Sequence, residues 1–186
     1  MPRKLEIKLY GCSVLTEKAK PVEQLNEETQ NLIDDMISTL YFTDGVGLAA
    51  PQIGISQRIF VCDPEYHKTE EKNALVFINP EFIEYSGEQE YEEGCLSIPN
   101  VYEKVIRFEK VKIKYRDRTW TENILEAEDT FAVILQHEFD HLEGKLFVDQ
   151  LSKIQKMTIA FKLNKIKNKG KNMEDKPVVI PSIQEE

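Results

Sequence analysis

A chain of 186 residues with 41% apolar content is long enough for one domain with its own core. A formal charge of −9, from 24 basic and 33 acidic residues, excludes a generally basic DNA-binding surface. Three irregularly spaced cysteines (Cys12, Cys62 and Cys95) exclude a disulfide framework, no apolar run reaches the length of a membrane span, and residues 1–8 lack the apolar stretch of a signal peptide, so the expected compartment is the reducing cytoplasm.

Gly11 and Pro21 predict irregular structure over residues 1–24. Asn26 is placed to cap a helix reaching about residue 41. Its apolar positions Leu32, Ile33, Met36, Ile37, Leu40 and Tyr41 recur at helical spacing and read as a core face. Residues 45–54 (G-V-G-L-A-A-P-Q-I-G) are small, with Gln52 their one polar side chain, and by themselves read as a tight turn. Residues 58–62 and 74–78 read as short buried strands. The polar segment 63–73 between them reads as an exposed loop in which His67 is solvated and no ligand. Asn79-Pro80 is expected to break the second strand, and residues 82–86 and 89–92 to form a hairpin around Ser86-Gly87. Cys95, in E-G-C-L-S, has two readings: an inert buried thiol, or a thiolate ligand for zinc or ferrous iron. Residues 101–108, 111–116 and 120–125 are further strands, the middle one alternating apolar and basic as in a sheet with one wet face.

The run Gln136-His137-Glu138-Phe139-Asp140-His141 carries two of the three histidines in the pattern H-E-x-x-H. Asp129 or Thr130 can cap a helix there, residues 131–135 are apolar, and Gly144 can close its end. On that helix His137 and His141 share a face, about 6 Å apart along the axis. They can offer two imidazole nitrogens to one metal ion, with Glu138 beside them to handle the protons of a water. A catalytic site of this kind needs a third protein ligand and an open position. No histidine follows His141, so the third ligand is sought upstream. Residues 150–173 hold seven lysines and no acid. Ile154, Met157 and Phe161 recur there at helical spacing, which predicts an amphipathic helix to about residue 167. Its lysines read as a solvated face or as a dock for a polyanion such as ribosomal RNA.

G-V-G-L-A-A-P-Q at 45–52, E-G-C-L-S at 93–97 and Q-H-E-F-D-H at 136–141, in this order, closely resemble the motifs of the peptide deformylases over residues 5–165. The resemblance implies an α+β fold of antiparallel sheets around a central metal-binding helix, with a C-terminal helix. One catalytic domain would span residues 1–167, with a disordered tail at 168–186. It makes Cys95, His137 and His141 the metal ligands and Glu138 the general acid/base. Gln52 and the Leu96 N–H become oxyanion donors. Val46, Gly47 and Gly94 would pair with an extended substrate, and Val133 and Ile134 would line its methionine pocket. Glu93 and Asp140 would orient the ligands from behind. Ferrous iron is the common family metal, and the donor set suits zinc also. The implied reaction is removal of the N-formyl group from the initiator methionine of new proteins: metal-bound hydroxide attacks the formyl carbon, with formate released. The lysine-rich helix looks like that of the bacterial class of the family. Two features depart from the pattern. Tyr102 stands where many bacterial members carry arginine, and residues 63–73 make a longer connection. The rival readings are a zinc peptidase cutting internal bonds and a non-catalytic binder docked at the ribosome.

Overall fold

The computed structural model describes residues 2–43, 45–173 and the backbone of 179–180. In chain order the elements are β1 (Lys4–Leu5), α1 (Glu27–Phe42), β2 (Gly47–Ala49), β3 (Ile59–Cys62), the one-turn α2 (Tyr66–Thr69), β4 (Leu75–Ser86), β5 (Gln89–Cys95), β6 (Ile98–Arg107), β7 (Lys110–Arg116), β8 (Glu122–Glu128), α3 (Asp129–Leu142), α4 (Lys153–Gly170) and β9 (Val179–Ile180). The class is α+β, as expected. An antiparallel sheet in the order β2-β3-β4-β7-β8 carries the core, β5 and β6 form a second pair, and β1 pairs with β9.

Strand alternation builds two cores on the two faces of the large sheet. Ile59, Val61, Val76 and Ile78 face α1, whose Leu32, Ile33, Met36 and Leu40 are buried against them. Phe60, Cys62, Phe77, Val111 and Ile113 face the other way, onto Ala132, Leu135 and Leu142 of α3. Each fully buried Ile, Leu, Phe or Met contributes about 1.5–3 kcal/mol before chain entropy is set against it. Asn26 caps α1 as predicted, its side chain accepting from the Thr29 N–H at 2.8 Å. A third cluster joins Ile98, Val101 and Val105 of β6 to Phe147, Leu151 and Ile159.

Several local expectations are overturned. Pro80 does not break its strand, since β4 continues through it to Ser86. The pairing of β4 with β7 shifts register between Ile78 and Glu81, and a proline at such a bulge forfeits no ladder bond. Asn79 takes the left-handed conformation there (φ 50°), and its amide brackets the Val22 backbone with bonds of 2.9 and 2.8 Å. The hairpin around Ser86-Gly87 does not form either. β4 pairs with β7 and β5 with β6, so the chain changes sheets at that turn. Neither Asp129 nor Thr130 caps α3: the flanking residue is Glu128, and no side chain closes that end. Gly144 does follow the helix in a left-handed conformation, at φ 68°.

α4 runs to Gly170, three residues past the predicted end, and it is turned over relative to the simplest reading of its pattern. Ile159, Leu163 and Ile166 pack inward. Ile154, Met157 and Phe161, the stripe that marked the helix in the sequence, face solvent at 76%, 77% and 83% exposure. Of the predicted tail, Val179–Ile180 pairs with β1; residues 174–178 and 181–186 lie outside the described residues.

Candidate metal centre

α3 delivers His137 and His141 from one helical face, with ring centroids 5.0 Å apart. Cys95 comes from the end of β5, where the pairing with β6 shifts register. Its Sγ lies 3.4 Å from His141 Nε2, and one donor atom each of Cys95, His137 and His141 falls within 4.8 Å of the others. A tetrahedral ion with Zn–S near 2.3 Å and Zn–N near 2.0 Å would separate such donors by roughly 3.3–3.6 Å. The donor set therefore fits one first-row divalent ion. Among the described residues it is the one cluster of this kind.

The surroundings prepare these groups. The Glu93 carboxylate is buried and accepts three bonds, from Arg107 Nε at 2.6 Å, Arg107 Nη2 at 3.0 Å and His137 Nδ1 at 2.7 Å. Burial alone would raise its pKa, but His137 and Arg107 hold it down at about 2. An ionised Glu93 keeps the proton on His137 Nδ1 and leaves Nε2 for a metal. Burial would lower the His137 pKa, yet Cys95, Glu93 and Glu138 together raise it well above its ordinary value. The cluster thus attracts positive charge at that ring. His141 is pushed the other way, by burial and by the charges of His137 and Arg107, and stays neutral as a ligand must.

Glu138 is buried beside them, and its Oε2 has no protein hydrogen-bond partner. Burial, opposed by His137 and reinforced by Glu93, raises its pKa to about 7. Gly47 is the floor beneath it, because a Cβ there would run into the Glu138 carboxylate. Gln52, 1% exposed, sits in the turn after β2. Its Oε1 accepts the Ala49 N–H at 2.8 Å, which fixes the sense of the amide and turns Nε2 toward Cys95 Sγ (3.5 Å) and Ser97 Oγ (3.4 Å).

A cavity of about 480 Å3 opens from this cluster. Its lining includes Val46, Gly47, Gln52, Gly94, Cys95, Leu96, Val133, Ile134, His137 and Glu138. Every predicted site residue except His141, which is buried behind the cavity wall, therefore lies on it. Both β2 and β5 keep one edge without a strand partner among the described residues, and both border the cavity. His67, predicted to be merely solvated, is exposed and takes no part in the metal cluster, but it lines the cavity's outer part.

Arg107 escaped sequence reading. It joins Glu93 to Asp140, which it meets at 2.6 Å, and Asp140 also accepts from Gln150 at 2.9 Å. The signal was present in the strand alternation: Val101, Val105 and Arg107 share one parity on β6, which places the arginine inward, while Ile106 points out.

The profile of the family described as polypeptide deformylase matches residues 4–157. The chain belongs to the polypeptide deformylase family. A peptide deformylase of Fusobacterium nucleatum subsp. nucleatum is 46% identical over 175 residues, covering 91% of this chain and 97% of that protein. The crystal structure of a peptide deformylase from Legionella pneumophila superposes with a TM-score of 0.81 at 44% identity, covering 94% of this chain and 100% of that one. That of Synechococcus elongatus, solved in complex with actinonin, gives 0.78 at 38% identity over 89% and 86% of the two chains. Deformylases are metal-dependent hydrolases that remove N-formyl groups from nascent peptides, and this chain carries the metal-binding Cys/His site that such chemistry needs. No described helix is long and apolar enough to cross a membrane.

Proposed function

We propose that Cys95, His137 and His141 hold one ferrous ion, and that Glu138 is the general acid/base for deformylation. The single observation that carries this is the buried Glu138 carboxylate, unpartnered at Oε2, beside one thiol and two imidazoles whose donor atoms lie within 4.8 Å. A divalent cation there supplies Lewis acidity and lets water ionise near neutral pH. Iron is chosen over zinc on the family's habit; a thiolate with two imidazoles suits both.

The substrate would lie extended between the open edges of β2 and β5, pairing with backbone groups of Val46, Gly47 and Gly94. The methionine side chain would enter among Val133, Ile134 and the neighbouring apolar wall of the cavity. Glu138 takes a proton from the attacking water and later gives one to the amine nitrogen that leaves. Gln52 Nε2 and the Leu96 N–H face the oxygen that gains charge. Losing one such donor typically costs about 3 kcal/mol of transition-state stabilisation. The restraint of Gln52 by Ala49 supports this reading, since a donor held in place needs no reorganisation during the reaction.

Further readings belong to the surface. The lysines of α4, together with the exposed Ile154, Met157 and Phe161, fit docking on the ribosome, where RNA and protein surfaces alternate. The cytoplasm is the compartment in which such a site meets nascent chains. Release of formate from formyl-Met-Ala-Ser by anaerobically purified protein, with the metal identified in the same sample, tests the central claim. Stoichiometric iron with rapid release supports it. A metal-loaded sample without turnover ends the catalytic reading, and full turnover after complete chelation ends the metal assignment.

A further inference from the structure

The two proposed oxyanion donors come from sheets that share no strand among the described residues. Gln52 sits in the turn Ala50–Ile53, which joins β2 to β3 of the five-stranded sheet. Leu96 sits with Ser97 in the two-residue turn of the β5–β6 pair, where Cys95 faces Ile98. One oxygen that gains charge must be met by both donors at once. The gap between the two turns therefore has to be held to within about 0.5 Å.

Direct bonds across that gap are weak. Gln52 Nε2 stands 3.4 Å from Ser97 Oγ and 3.5 Å from Cys95 Sγ, long for hydrogen bonds. The Leu96 side chain packs against the first core cluster, but a side chain does not fix the direction of its own N–H. The short bonds run through a third piece of chain. The Lys8 N–H donates to the Gln52 carbonyl at 2.7 Å, and the Tyr10 N–H to the Ser97 carbonyl at 2.8 Å.

This strap is anchored at both ends in different cores. Ile7 packs against the first cluster, which holds Ala50 and Ile53. Tyr10 packs against the third, which holds Ile98. Lys8, between them in the chain, is wholly buried. From behind, the last turn of α4 leaves the strap no room to retreat. A Cβ added to Gly170 would run into the Leu9 and Tyr10 carbonyls, and one added to Gly11 into the Lys167 carbonyl.

We propose that Lys8 and Tyr10 are positioning residues for deformylation: their backbone N–H groups set the distance between Gln52 Nε2 and the Leu96 N–H, and so shape the oxyanion site. This rests on the oxyanion roles given to Gln52 and Leu96 above. It assigns a part in the reaction to a segment that lies outside the cleft and carries none of its side chains.

The test removes one N–H and nothing else. Full-length protein is assembled by ligating a synthetic segment of residues 1–11 to Cys12, with an ester in place of the Leu9–Tyr10 peptide bond. The all-amide ligated chain is the reference. In the ordinary chain, Gly170→Ala presses on the same strap while keeping every hydrogen-bonding group. With metal-loaded protein and formyl-Met-Ala-Ser, each change should lower kcat about tenfold with KM and bound metal unchanged, the scale of a small misplacement near the reacting atoms. In a Gln52→Ala background the same change should cost less than about twofold, because the donor it displaces is already gone. In metal-free protein the Leu96 amide should exchange its hydrogen faster in the ester chain than in the reference. Full kcat in the ester chain, an equal fold loss with and without Gln52, or unchanged exchange at Leu96 overturns the proposal. If the ester chain does not refold, Gly170→Ala decides by the same kcat comparison. Full activity of Gln52→Ala alone overturns the oxyanion reading beneath the proposal, and no formate release from the wild type overturns the function itself.

Discussion

α3 and α4 are inversions of one another. α3 buries polar groups, Gln136, Glu138 and His141, inside the protein, whereas α4 turns Ile154, Met157 and Phe161 out to solvent. Each arrangement runs against the hydrophobic effect, and each therefore marks a surface selected for something besides stability. The difference lies in how the cost is met. On α3 Gln136 is bonded to the Phe108 and Ala132 backbone, whereas Glu138 Oε2 and His141 Nδ1 have no partner within the protein and gather around the proposed metal site. On α4 nothing among the described residues covers the apolar stripe.

That contrast can be broken from the α3 side first. Glu138→Gln should retain metal yet lose about 10²- to 10⁴-fold in formate release, the usual worth of a positioned proton carrier. Comparable turnover would mean that the buried carboxylate is only structural. Next in size, Arg107→Met should destabilise the protein by about 3–5 kcal/mol in urea unfolding, because the buried Glu93 would keep only His137 as a partner and the half-buried Asp140 only the neutral Gln150. Acid should act on the same group. Glu93 has a folded pKa of about 2, below its ordinary value of 4.5. A depressed carboxylate stabilises above its unfolded pKa, so this contribution is present at neutral pH and is lost as pH falls from about 4.5 toward 2. Thermal melts of metal-free protein across that window should show the loss, and Glu93→Gln should flatten it.

The smallest effects belong to α4. Replacing Ile154, Met157 and Phe161 together by Gln should shift stability by no more than about 0.5 kcal/mol per site, the usual range for surface positions. Formate release from a three-residue peptide should not change, while co-sedimentation with ribosomes should weaken. A large drop in melting temperature would show that the stripe is packed after all, and the contrast between the two helices would disappear.

The sequence exposed these two helices unequally, for physical reasons. Local signals are strong where one residue type has one use. H-E-x-x-H on a helix and the Asn26 cap both led to where the structure puts them, whereas the Gly-rich segment read locally only as a turn, and Gln52 was singled out for the site by resemblance. Periodicity, by contrast, cannot say which side of a helix is covered. Ile154, Met157 and Phe161 marked α4 as amphipathic, and only the tertiary packing of Ile159 and Leu163 shows that another side of the helix is the covered one. Pro80 and the supposed hairpin failed for a related reason. A bulge and a change of sheet are decided by partners far along the chain, Val22 and β7, which no local window contains. Arg107 lay within reach through strand parity, but its partners Glu93 and Asp140 are 14 and 33 residues away.

The end of α4 sits on the beginning of the chain. The Cys12 thiol donates to the Gly170 carbonyl at 3.2 Å across 158 residues, and a side chain at position 170 would collide with the backbone of Leu9 and Tyr10. Residues 9–12 therefore complete their packing only when the end of α4 is in place, although Lys8 and Tyr10 are also held by the Gln52 and Ser97 carbonyls. A truncation that stops short of residue 170 removes the contact of Cys12 and the cover over Leu9 and Tyr10, and so should loosen residues 9–12 toward proteases although it removes nothing from the catalytic cleft.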